Sequence, residues 1–262
     1  MKKMINLFFI ASLFLIGFTA CEQSEKENPA ETPGGIPGMG NTPGELEIAE
    51  PFNVPEGMII NVQGLDEIRV DGVSGTANLK SSNDWSSTFG CGGSFDKKTN
   101  DFVFWITLNA SFSNISNTEM CVTIPKGTIF KVSNPQAQNG VLLEDVKVCI
   151  KPNETQICKF MVMCLNMGFP GSNDSLFYEI LGTTNSDLIQ ELIGYLSGKK
   201  IGIQYYINLS PSAGLKSANV DDFETYKEIA DRIQKSIWKL TNEGENLSQE
   251  DIEYFQSLPD IE

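Results

Sequence analysis

A chain of 262 residues with 34 acidic and 19 basic side chains carries a net charge of −15, and it contains no histidine. The missing imidazole excludes Ser-His-Asp and Cys-His catalysis and His-ligated zinc or haem, and the acidic balance excludes nucleic acid and an electrostatic membrane patch as partners. The 40% hydrophobic content suffices for a sizeable core, while 23 Gly, 12 Pro and only 20% charged residues point to a turn-rich chain, mainly β.

At the start, Lys2 and Lys3 precede an apolar run, Met4 to Phe18. At about 15 residues this run is short of a permanent membrane span and reads as a secretory signal over 1–20. Phe18-Thr19-Ala20-Cys21 then sets small residues before a cysteine. This resembles the lipobox of bacterial lipoproteins, with Phe18 where Leu is more usual. The resemblance implies that Cys21 is acylated, palmitate being one such chain, and becomes the first residue of the mature protein. Two or three acyl chains anchor stably where one does not. The implied location is the bacterial cell envelope, on the periplasmic leaflet or the cell surface. The partner through the lipid is the membrane.

Glu22 to Glu50 holds Pro29, Pro33, Pro37 and Pro43, several glycines and no aromatic residue. Such a segment is expected to be a disordered spacer spanning roughly 30 Å. Residues 21–57 are thus lipidated cysteine and linker, and 58–262 the folded domain.

Strand patterns begin at Met58–Val62. Asp101–Leu108 is dense in aromatic and β-branched residues, as in a buried strand. Met120–Ile124 and Thr128–Val132 flank a turn at Pro125-Lys126-Gly127. Val141–Ile150 and Thr155–Leu165 flank Lys151-Pro152-Asn153-Glu154 and read as a hairpin. In its second arm Cys158, Phe160, Val162 and Cys164 share one face, and Met161, Met163 and Leu165 the other, which makes it a central strand. Ile201–Leu209 reads as a further strand. Helical periodicity appears at about 186–197, capped by Ser186, at 220–241 with a stripe of Phe223, Tyr226, Ala230, Ile233, Ile237 and Leu240, and at 248–258 with Ser248 and Asp251 forming a capping box. The expected fold is mainly β, a sandwich or barrel-like domain with C-terminal helices, on a disordered N-terminal tether.

With Cys21 assigned to lipid, Cys91, Cys121, Cys149, Cys158 and Cys164 remain, an odd number. A compartment beyond the inner membrane permits disulfides. The proposed hairpin sets Cys149 opposite Cys158, the first expected bridge, and Cys91 with Cys121 is a second. No cysteine spacing matches a zinc site, so no metal and no cofactor is expected.

Two short motifs carry a further resemblance. Met163-Cys164-Leu165-Asn166 closes an apolar strand, and some 70 residues later comes Ile233-Gln234-Lys235-Ser236-Ile237-Trp238. Together, between about residues 120 and 240, they resemble the thioester domains of bacterial surface adhesins. That family carries a strand-borne cysteine in an aromatic-Cys motif and a glutamine in an apolar-Gln-x-x-apolar motif; Met163 stands where the aromatic is expected. The resemblance implies that Cys164 attacks the Gln234 amide, expels ammonia and forms an internal thioester that captures amines, with Trp238 shielding it.

Other features read as structure. Gly90-Cys91-Gly92-Gly93 lacks the residues of a phosphate cradle and reads as a turn. Asp221, Asp222 and Glu224 favour a helix start rather than a calcium site. Trp85, Trp105, Tyr205 and Tyr206 suit core packing more than a carbohydrate platform. Asp174-Ser175-Leu176 resembles an O-glycosylation tripeptide of some envelope proteins. The preferred reading is a non-enzymatic, lipid-anchored envelope lipoprotein with a binding or adhesion role toward a protein or glycan ligand. Covalent capture through Cys164 and Gln234, and a glycan hydrolase using carboxylates alone, are the alternatives.

Overall fold

The computed structural model describes residues 31–66, 68–70, 88–90, 94–96, 101–206 and 220–262. The expected signal over 1–20, Cys21, the first part of the spacer, Trp85, Cys91 and residues 207–209 of the expected last strand lie outside the described residues.

Thirteen strands are described in chain order. They are β1 (Ile48–Pro51), β2 (Met58–Leu65), β3 (Ile68–Val70), β4 (Thr88–Gly90), β5 (Ser94–Asp96), β6 (Asp101–Phe104), β7 (Ile106–Asn114), β8 (Met120–Ile124), β9 (Thr128–Val132), β10 (Gly140–Val141), β11 (Val146–Ile150), β12 (Thr155–Cys164) and β13 (Phe177–Thr184). The helices are α1 (Asp187–Leu196), α2 (Val220–Trp238) and α3 (Gln249–Ser257). Strands β13, β2, β7, β12, β10 and β9 pair in that order, and β9 returns to β13. This closes a six-stranded antiparallel barrel, with β1 as an extra strand on β13. Closure removes the open sheet edges that would otherwise invite pairing with other chains.

Alternation decides what fills the barrel. Along β7, Ile106, Leu108, Ala110 and Phe112 are buried while Asn109, Ser111 and Ser113 are partly exposed. The interior cluster joins these to Phe130 of β9 and to Cys158, Phe160, Val162 and Cys164 of β12. Phe160 packs its ring 6.2 Å from Phe112 and 6.0 Å from Phe130. Met163 and Leu165 point the other way, into a second cluster with Ile189, Leu192 and Ile193 of α1, Ile229, Ile233 and Ile237 of α2, and Phe255 of α3. Strand β12 is therefore apolar on both faces because it lies between two cores.

The helix ends follow local chemistry. The Ser186 hydroxyl accepts from the Ile189 N–H, and Ser248 and Asp251 form a reciprocal capping box. Helix α2 runs on into a π turn over Lys239–Glu243 and stops at Gly244, which adopts a left-handed φ of 75°. Asp251, almost fully buried, receives hydrogen bonds from Arg232 and Lys239 and so ties α3 to α2.

Four expectations are corrected. Val141–Ile150 and Thr155–Leu165 do not form a hairpin. Strand β11 pairs with β8 instead, and β12 is occupied by β7 on one side and by β4 and β10 on the other. Consequently Cys149 is bonded to Cys121, directly opposite in the β8–β11 register at a Cα separation of 4.0 Å. Neither expected bridge, Cys149–Cys158 or Cys91–Cys121, is formed, and Cys158 lies fully buried in the barrel. Third, the described part of the strand expected over Ile201–Leu209, residues 201–206, is not a strand, for Ile203–Tyr205 make a short 3-10 turn. Fourth, the spacer does not extend to Glu50. Ile36 and Met39 are buried in the second cluster, because these two apolar side chains, unlike the prolines around them, find a groove to fill.

The disulfide closes a 28-residue separation, so the Cys121→Ser/Cys149→Ser double variant should lose about 3–4 kcal/mol of stability in urea unfolding. Burial alone would raise the Asp251 pKa, but Lys239, Ser248 and Arg232 outweigh it and hold the carboxyl down to about 2 from its ordinary 3.8. A carboxyl depressed on folding stabilises above its unfolded pKa. Stability of about 2 kcal/mol should therefore be lost as pH falls from 4 toward 2, and an Asp251→Asn variant should lack this slope in a pH series of urea melts.

Candidate functional site

Strand β7 bends away at Trp105, just past its last pair with β12, Ile106 opposite Val162. At Cys164, β12 keeps Gly140 of β10 on one edge, and on the edge that β7 has left its main chain needs another partner, because unpaired amides in a buried layer are costly. Gln234 fills the gap. Its Oε1 accepts from the Cys164 N–H at 2.8 Å, and its Nε2 donates to the Cys164 carbonyl at 2.9 Å. The carboxamide thus copies one rung of an antiparallel ladder across 70 residues of sequence. Gln234 and Cys164 are both fully buried.

Helix α2 delivers Gln234 through its two-sided packing. Ile233 and Ile237 sit in the outer core, which turns Gln234 toward β12, and Trp238, four residues on, packs against the barrel-interior cluster that contains Cys164. Among the described residues the buried Trp238 Nε1–H has no hydrogen-bond partner. The structure therefore brings Cys164 and Gln234 into contact, with Trp238 against the same core.

The arrangement has chemical content. A carboxamide oxygen that accepts from a fixed N–H is a polarised carbonyl, and that same N–H is already aimed where negative charge would develop under attack. The candidate nucleophile, the Cys164 sulfur, is three covalent bonds from the gripped nitrogen. Apolar surroundings keep water away from any acyl group formed there.

One more polar side chain lies in the barrel-interior cluster. Tyr178 of β13 is buried in that cluster, and among the described residues its hydroxyl has no hydrogen-bond partner. Burial first, and Cys164 second, push its phenol pKa upward. No sequence signal marks it, since the pairing of β13 with β9 and β2 alone brings Tyr178 inside the barrel.

The segment before β1 crosses the same region. The Gly40 N–H donates to the Leu165 carbonyl at 2.9 Å, Asn166 Nδ2 donates to the Gly40 carbonyl at 2.9 Å, and the Gly34 N–H donates to Leu240 at 2.7 Å. Beside this strap lies a cleft of about 400 Å³ whose lining includes Gly40, Glu45, Lys131, Asn139 and Asn166. Among the described lining residues Glu45 is its one carboxylate.

The other candidates are not brought together. Trp105 packs on the barrel core and Tyr206 on the helical core, its hydroxyl donating to the Lys200 carbonyl, so they share no platform. Glu224 accepts from Lys227. Ser175 is exposed in the turn before β13 and donates to Asn173. Among the described residues, no helix is long and apolar enough to cross a membrane.

Gly40 has a φ of 59°, and an added Cβ would meet the Thr241 carbonyl oxygen at 1.9 Å. Gly40→Ala should therefore lift the strap at a cost of about 1–3 kcal/mol. Hydrogen exchange should show faster exchange at the Gly34 and Gly40 amides while the β7–β12 ladder keeps its protection. No protein-family model, curated protein or solved structure matches the chain.

Proposed function

We propose that this protein is a lipid-anchored envelope lipoprotein that acts by adhesion, and that Cys164 and Gln234 form an internal thioester able to capture an amine on a partner. The observation that carries this reading is the paired hydrogen bonding of the Gln234 carboxamide to the Cys164 main chain in a fully buried setting. It is joined by the signal and Phe18-Thr19-Ala20-Cys21 at the start of the sequence.

The chemistry balances without a cofactor. The Cys164 sulfur bonds to the Gln234 Cδ, the Cδ–Nε2 bond breaks, and the thiol proton leaves with ammonia. Attack by an amine then forms an N–Cδ bond, breaks the S–Cδ bond and returns a proton to the sulfur. Gln234 is consumed once, so the protein is a single-use coupling agent rather than a turnover catalyst. Trp238 shields the bond by covering the interior face of the site. A glycan hydrolase would need two facing carboxylates, which the cleft beside the strap does not offer.

Intact mass of the chain purified without its lipid should fall about 17 Da, one ammonia, below the value calculated with its disulfide. Methylamine should then add about 31 Da at Gln234. Cys164→Ala and Gln234→Ala should each abolish both changes. Full calculated mass with no methylamine uptake overturns the covalent reading. Separately, Cys21→Ser should shift the protein from the membrane to the soluble fraction and remove palmitate labelling; retention in the membrane overturns the anchor.

A further inference from the structure

The two walls of the cleft beside the strap come from different parts of the chain, and each is held in place. One wall is the strap, which bends back on itself. Gly38 has a φ of 72° and Gly44 a φ of 134°, and an added Cβ would meet the Leu46 nitrogen at 2.8 Å from the first and the Pro37 Cβ at 3.0 Å from the second. Met39, almost fully buried, pins this wall to the helical core. The other wall is β9 and the chain that leads to β10. Asn139 Oδ1 accepts from the Val132 N–H at 3.0 Å, and the Asn139 N–H donates to Asn166 Oδ1 at 3.1 Å. Asn166, 4% exposed, then reaches the strap at the Gly40 carbonyl, so one buried side chain joins the two walls.

The two charges of the cleft stand on opposite walls. Glu45 belongs to the strap and Lys131 to β9, and they are the charged groups among the described lining residues. Glu179 of β13 is opposite Lys131 in the strand register, yet among the described residues neither Glu45 nor Lys131 makes an ion pair. Phe169 adds a partly exposed ring to the lining. A volume of about 400 Å³ suits a ligand of small-molecule size. We infer that the cleft binds a small ligand carrying both an amine and a carboxylate, a free amino acid or a short peptide, with Glu45 accepting from its ammonium group and Lys131 donating to its carboxylate.

The charge pattern selects this class. A neutral ligand would strip water from both charges without replacing it, and a ligand of one sign would leave one of them without a counterpart. A molecule with both groups on one small frame answers both, and Phe169 offers its ring to the carbon chain. Both side chains are exposed, so each contact is weak and screened by salt. The site is separate from the thioester reading, because neither Cys164 nor Gln234 lines the cleft and no covalent bond changes. It has a mechanical consequence of its own. Glu45 lies on the strap and Lys131 on the barrel, so a ligand that holds both fastens one to the other. Binding that requires the closed strap stabilises it by mass action, and the Gly40 amide, which donates to the Leu165 carbonyl, should exchange its hydrogen more slowly in the presence of ligand.

The test is an NMR titration of the isotope-labelled chain, purified without its lipid, with L-alanyl-L-alanine. The amide resonances of Leu46, Val132 and Asn139 should shift and saturate below about 20 mM, and raising salt to about 0.5 M should weaken binding several-fold. N-acetyl-alanyl-alanine lacks the amine and alanyl-alaninamide lacks the carboxylate; each should bind about ten-fold more weakly. Glu45→Gln and Lys131→Gln should each weaken binding of the uncapped dipeptide to the same degree, and since both positions are exposed the β7–β12 resonances should stay in place. Free L-alanine binding as tightly as the dipeptide assigns the cleft to amino acids, and binding of the dipeptide alone assigns it to peptides; either result upholds the inference. No saturable shift by about 20 mM overturns it. Affinity kept within about two-fold in both capped peptides, or in both charge variants, overturns it as well.

Discussion

The hydrogen-bonded grip of the Gln234 carboxamide on the Cys164 main chain is the constraint around which this molecule is organised. A strand that outlives its neighbour inside a buried layer must find main-chain partners, because each unpaired amide or carbonyl there costs about 1–3 kcal/mol. Strand β12 outlives β7 by one rung, and a side chain from α2 supplies that rung. The helix is thereby located along and around the barrel by polar geometry as well as by apolar packing. A carboxamide suits the task since it offers one donor and one acceptor at the spacing of a peptide group.

The same junction draws in chain from three places. Gly34 and Gly40 come from the strap, Cys164 to Met167 from the end of β12, and Gln234 to Asn242 from α2 and its π turn. Asn166 links two of them, taking the Asn139 N–H and donating to Gly40. Asn242 links a third by accepting from the Met167 N–H. These are directional bonds between segments far apart in sequence, so each restricts how the two cores are stacked. A thiol held in such surroundings keeps one set of neighbours, which reactive acyl chemistry requires.

The two cores divide the labour. The barrel interior, built on Phe112, Phe130 and Phe160, surrounds the sulfur side of Cys164. The helical core, built on α1, α2 and α3 against Met163 and Leu165, sets the height of α2 over the strand. The β8–β11 ribbon turns Val122, Ile124, Val146 and Val148 toward the barrel and carries the Cys121–Cys149 bridge on its outward face. The bridge thus lies away from the two buried thiols on β12.

Much of this was legible along the chain. The alternation in residues 155–165 marked a strand with two apolar faces, Ser186 and Ser248 marked helix starts, the stripe from Phe223 to Leu240 marked the buried face of α2, and two short motifs marked Cys164 and Gln234. These are short-range properties, set by periodicity, capping and residue chemistry, and they survive in any tertiary setting. Pairing between strands was not legible. The turn at Lys151–Glu154 suited a hairpin, but β4 and β10 took the edge of β12 that a hairpin needed, and Cys149 met Cys121 instead. Burial of Ile36 and Met39 depended on a groove made by α1, α2 and β12, and the inward turn of Tyr178 depended on barrel closure. Which side chains face each other across a closed barrel is decided by register and closure, and those are settled by competition among all strands at once, not by any stretch of sequence read alone.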